Sequence, residues 1–212
     1  MLYNITELLS TGQFKIHPNL SPYVVMGPGR CGSSFICEIL EKVYNISMCE
    51  IHSIPSEWTP RGSYECLSLV RIFERNENGE DSRETFVSKI NDYIIRRSMM
   101  VPRWGFKDLA RFGSMWLWIK TPRIVFCDRP KELVMKSLIK KRGPQYNESN
   151  EEVEALYNRR MDYAKKAMEY FKGNHVSISF SGDKRTTQEE VCNILENKWS
   201  DINEQPKPKI HV

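Results

Sequence analysis

No apolar run in this 212-residue chain approaches the roughly 20 residues that a membrane-spanning helix needs, so no span is expected. There is also no Cys-x-x-Cys pair. The six cysteines, Cys31, Cys37, Cys49, Cys66, Cys127 and Cys192, are scattered, which predicts reduced thiols rather than a disulfide framework or a zinc site. The segment Met1 to Lys15 lacks the basic start, apolar block and small-residue cleavage site of a secretory leader, and a cytoplasmic address is the expectation. Internal repeats and low-complexity tracts are absent too. So is a dominant charge: 31 Lys+Arg against 27 Asp+Glu leave a net +4, too mild for a protein that wraps nucleic acid.

What is there is the balance of an ordinary globular protein, 40% hydrophobic and 27% charged residues. At about 150 residues per domain the length predicts one domain, with a core over about 22–196 and a tail over 197–212 that ends in a Pro/Lys stretch. The acidic patch Glu148 to Glu154 reads as solvated.

Strands and helices are expected to alternate. Tyr23-Val24-Val25-Met26 is a short apolar run between Pro22 and a glycine loop, hence a buried strand. Phe35, Ile36, Ile39, Leu40 and Val43 recur at helical spacing straight after that loop. Ile46 to Glu50 is a candidate second strand, and Ile54 to Tyr64, with two prolines and Trp58, a loop. Phe86, Val87, Ile90, Tyr93, Ile94 and Arg97 form a stripe behind an Asp81 or Ser82 cap. Trp104 to Lys107 and Arg123 to Cys127 are further strands, followed by a basic helix from Lys131 to Arg142 and a longer amphipathic one from Glu151 to Lys172. A strand from His175 to Phe180 precedes a last helix, announced by the capping box Thr187 and Glu190. This order predicts an α/β fold, a mainly parallel sheet in three layers with ligands at the carboxyl ends of the strands.

The loop Gly27-Pro28-Gly29-Arg30-Cys31-Gly32-Ser33-Ser34 has two glycines at Walker A separation, between a strand and a helix, where backbone N–H groups can cradle an anion. The Walker lysine is missing. Ser33 stands in its place and the fixed charge has moved to Arg30, which argues against an ATPase or kinase. Such a nucleotide enzyme with a degenerate loop, and a non-catalytic nucleotide-binding module, are the alternatives.

The loop resembles the 5'-phosphosulfate loop of sulfotransferases that use 3'-phosphoadenosine 5'-phosphosulfate (PAPS). That family has a basic residue, a small residue, glycine and two hydroxyl residues, matched by Arg30, Cys31, Gly32, Ser33 and Ser34. Its second segment, a strand ending in arginine with a serine eight residues on, is matched by Arg123 to Arg129 and Ser137, and the resemblance implies that these two bind the 3'-phosphate. A weaker likeness covers His175 to Leu195. Gly29 to Ser34, with Arg129 and Ser137, are thereby the expected donor contacts, and 3'-phosphoadenosine 5'-phosphate (PAP) the expected product. The resemblance implies no metal, and an acceptor that is a small molecule or carbohydrate hydroxyl.

Sulfuryl transfer also needs a base for the acceptor proton and cations for the developing charge. Many members of the family carry a histidine two residues after a strand-borne lysine. Lys107 supplies the lysine, but Leu109 stands where the histidine belongs. Carbohydrate-type members, including the trehalose sulfotransferases, use a glutamate just after the second strand, which points to Glu50 as base, with His52 its rival and Asp108 a third candidate that could instead orient Lys107. Arg30 and Lys107 are the expected catalytic cations. Lys184 and Arg185 sit in a predicted turn, and Trp58, Trp116 and Trp118 could form an acceptor wall.

Overall fold

The computed structural model describes residues 22–48, 64, 66–101, 103–108, 122–181 and 186–204. Among them are four strands that form one all-parallel sheet: β1 (Tyr23–Met26), β2 (Gly105–Asp108), β3 (Arg123–Asp128) and β4 (His175–Ser179), in the order β2-β1-β3-β4. The helices are α1 (Ser33–Lys42), α2 (Leu67–Glu77), α3 (Arg83–Met100), α4 (Lys131–Tyr146), α5 (Asn150–Tyr170) and α6 (Gln188–Lys198), followed by a 3-10 turn over Ser200–Asn203.

The sheet has a core on each face, which is why β1 and β3 are apolar at successive positions rather than alternate ones. On one side Val24, Met26, Ile124 and Phe126 pack with residues of α2, α3 and α5, among them Leu69, Phe73, Ile90, Tyr93 and Ala164. On the other, Tyr23, Val25, Val125, Cys127 and Ile178 meet α1 and α6 through Ile36, Leu40, Val191 and Leu195. The chain leaves β1 toward β2 on one flank and β3 toward β4 on the other, so the direction of winding reverses between β1 and β3. In open parallel sheets the crevice at that reversal, beyond the carboxyl ends of the strands, is where ligands bind.

Most element boundaries agree with the sequence pattern. Ser82 caps α3 by accepting a hydrogen bond from Thr85 N, and Thr187 with Glu190 forms the expected capping box. Four expectations are corrected. Ile46 to Glu50 makes no strand over its described part, only a single bridge between Ser47 and Trp104. The tail does not begin at 197, because α6 runs to Lys198 and the turn after it buries Trp199 and Ile202 against the sheet. The acidic patch is not merely solvated: Glu148 pairs with Arg142, and Ser149 with Glu152 builds a second capping box. Helix α2 falls where the sequence pattern assigns no element.

Candidate functional site

The loop after β1 is shaped by backbone geometry that most residues avoid. Gly29 (φ 82°) and Gly32 (φ 90°) lie in the left-handed region, and Arg30 (φ 55°) joins them at the tip although it carries a side chain. A Cβ on Gly32 would come within 2.6 Å of the Phe180 ring, so glycine is required there both for its φ and for the close approach. Gly32 also begins α1, whose start has no side-chain cap and no acidic residue in its first turn. Helices α5 and α6, by contrast, each open with a capping box and two glutamates. Among the described residues, then, no side-chain cap and no first-turn carboxylate offsets the positive end of α1, a condition that favours an anion.

Two arginines from other parts of the fold converge on this loop, and the loop's own Arg30 reaches out to α4. Arg30 Nε donates to Ser137 Oγ on α4 at 2.9 Å. Arg129, just past the end of β3, donates from Nη1 to the Arg30 carbonyl at 2.8 Å. Arg160, midway along α5, donates from Nη1 to the Pro28 carbonyl at 3.0 Å. Burial lowers the Arg30 pKa, and the neighbouring positive charge of Arg129 lowers it further, so its charge is held at some expense. A phosphate-like group would relieve that.

The other loop residues divide by side. Ser33 is buried at the first position of α1 and Ser34 follows, half-buried. The Cys31 side chain is fully buried beneath the loop against Cys127, so it faces the core. Contact with the Cys127 thiol draws the Cys31 pKa down against the opposing effect of burial, and the Ser33 and Gly29 backbone groups add to the lowering; burial pushes Cys127 up.

Lys107 and Asp108 end β2 beside the loop, in register with Val25 and Met26. Both are buried, and the alternation of a strand sends them to opposite faces. Lys107 lies on the Cys127 side, where its charge is felt by that thiol. Asp108 Oδ2 accepts a hydrogen bond from Tyr163 Oη of α5 at 2.6 Å. Tyr163 thus holds Asp108 from the α5 side of the sheet.

The structure brings together Gly29, Arg30, Cys31, Gly32, Ser33, Ser34, Arg129, Ser137 and Lys107 at the carboxyl edge of the sheet. Glu50 and His52 lie outside the described residues, as do Trp58, Trp116, Trp118, Lys184 and Arg185. Arg160 and Tyr163 escape the sequence analysis because attention to α5 falls on its apolar stripe. A signal exists nevertheless. Arg160 lies three residues after Tyr157 and four before Ala164, so it interrupts a stripe that is otherwise buried. Among the described residues, no helix is long and apolar enough to cross a membrane. Comparison of the chain with models of known families and with curated proteins finds no match.

Proposed function

We propose that the chain is a PAPS-dependent sulfotransferase with a P-loop-like phosphosulfate loop, acting on a hydroxyl of a carbohydrate or small metabolite. The observation that carries the reading is the meeting of Arg30 with Arg129 and Ser137, which lie 99 and 107 positions on in sequence, at the crevice between β1 and β3. A donor with a 5'-phosphosulfate and a separate 3'-phosphate needs two anion positions, and the loop amides with Arg30 supply one while Arg129 and Ser137 supply the other. The loop has an arginine at its tip and no Walker lysine, which suits a sulfuryl donor better than a nucleoside triphosphate.

In this reading the donor provides the sulfuryl group and its 5'-phosphate leaves. The acceptor oxygen forms the new O–S bond as the bond from sulfur to the phosphate oxygen breaks. Arg30, Lys107 and the N-terminus of α1 stabilise the charge that develops on the sulfuryl and leaving oxygens. The acceptor proton goes to a general base, the Glu50 carboxylate in first place, with the His52 imidazole its rival. Asp108, oriented by Tyr163, is the carboxylate next in line.

A thermal-shift comparison tests the donor assignment. A ligand that binds only the native state raises its stability by about 2.7 kcal/mol at a hundredfold excess over Kd. PAP should raise Tm clearly more than ATP or AMP. An equal or larger shift with Mg-ATP would favour a nucleotide kinase or hydrolase instead.

A further inference from the structure

We infer that Arg160 is a positioning residue for the donor loop, holding it in its anion-receiving shape through the Pro28 carbonyl. The nature of the anion rests on the sulfotransferase reading; the contact does not. The loop turns through positive φ at Gly29 and Arg30 and runs straight into the N-terminus of α1, whose first N–H groups face the ligand side. The carbonyls must then find partners elsewhere, since a buried carbonyl without one is costly. Arg129 supplies the partner for Arg30 and Arg160 the partner for Pro28.

The two holds differ in origin. Arg129 follows β3, the strand next to β1, so sheet pairing alone brings it near. Arg160 comes from a helix separated from the loop by 132 residues of chain, and its reach depends on how α5 is seated. That seating is firm at three levels. Val153 and Tyr157 pack on α4 through Val134 and Leu138, Ala164 and Ala167 enter the sheet core, and Tyr163, three residues past Arg160, bonds the buried Asp108 at the end of β2. A single helix face therefore ties the donor loop to the strand that carries Lys107, so that the anion position and the cation keep a fixed relation.

A loop released from Arg160 must be ordered again each time a ligand binds, which weakens affinity by the fraction of time the loop is out of shape. The loss falls on ground state and transition state alike, so it appears in KM rather than in kcat. The test compares wild type, Arg160→Ala and Arg160→Lys. Hydrogen exchange of the free proteins should show faster exchange at the loop amides in Arg160→Ala, with β1 and β3 unchanged. PAP affinity by calorimetry should fall, and the KM for PAPS rise, by roughly 5- to 30-fold. Turnover should stay within about threefold, and Arg160→Lys should recover most of the loss. The salt dependence of PAP binding should be the same in Arg160→Ala as in wild type, because the residue acts on a carbonyl and not on the ligand.

Unchanged loop exchange with unchanged affinity would overturn the inference. A weaker salt dependence in Arg160→Ala would overturn it in another way, by making Arg160 a direct contact of the anion. Failure of wild type to bind PAP would sink the donor reading alone, and the exchange result would then decide for or against the hold on Pro28.

Discussion

Arginines are used in opposite ways at the two ends of the sheet. At the amino end, half-buried Arg123 donates to both carboxylate oxygens of Asp201 and to the Tyr23 hydroxyl at 2.8 Å, and it lies against the rings of Tyr23 and Trp199. Burial alone would lower its pKa, but Asp201 and Tyr23 outweigh that and the net direction is up. Arg103 nearby is held by the carbonyls of Tyr44, Ile202 and Glu204. At the carboxyl end, half-buried Arg30 goes the other way. Burial and the charge of Arg129 lower its pKa, and its Nε donates to the Ser137 hydroxyl. The same side chain at similar depth is thus held up in pKa by a carboxylate and a phenol at one end and pushed down by burial and a second arginine at the other. The amino-end arginine meets a carboxylate within the fold, whereas the proposed function gives the carboxyl-end arginine an anionic ligand to meet.

That contrast is broken if substitutions at the two ends have the same consequences. The largest effect is expected at the carboxyl end. Arg30→Ala should lower kcat by about 10²-fold or more with little loss of stability, since preorganised charge stabilisation of this kind is worth about 10²- to 10³-fold per donor. Steady-state kinetics alongside thermal melts check it. A large fall in Tm with normal turnover would assign Arg30 to the fold instead.

Arg123→Ala should do the reverse and destabilise the protein by roughly 1–3 kcal/mol in denaturant titration, leaving the KM for PAPS unchanged. Asp201 sharpens the point through pH. Its hydrogen bond to Arg123 holds the carboxyl below the usual aspartate range. A group whose pKa is depressed on folding contributes stability above its unfolded value, about 3.9, and loses it as pH falls through the lower folded value. The stability gap between wild type and Asp201→Asn should thus be constant from about pH 6 to pH 8 and close below about pH 4. Because Asp201 is nearly half exposed, the gap should be only about 1 kcal/mol. A gap that widens in acid would refute the pairing.

How much of this is legible in the sequence depends on how local the cause is. Strands β1 and β3 are legible because apolar runs bounded by proline and glycine have few other fates. The Thr187 capping box is legible because its two partners are three residues apart. Helix α2 is not. Its N-cap, Cys66, makes no side-chain cap bond, and its buried residues Leu69, Val70 and Phe73 follow a proline-rich stretch that reads as loop. The packing of Trp199 and Ile202 is set by partners far away in the chain, so composition makes that segment look like tail. At the site, the loop and the pair Arg129 and Ser137 carry a local pattern. Arg160 and Tyr163 contribute through contacts 132 and 55 residues distant, so the spacing along α5 marks Arg160 as a break in the stripe without naming its partner.

The claim that two separate anion positions meet at the crevice is tested most directly on Arg129, which bonds the loop carbonyl of Arg30 and is also assigned to the 3'-phosphate. Calorimetry of PAP and AMP, which differ only in that phosphate, against wild type and Arg129→Ala separates the two roles. Wild type should prefer PAP by about tenfold or more, and Arg129→Ala should lose most of that preference while its affinity for AMP changes far less. Equal weakening of both ligands, or an intact preference for PAP in the variant, would contradict a 3'-phosphate position at Arg129.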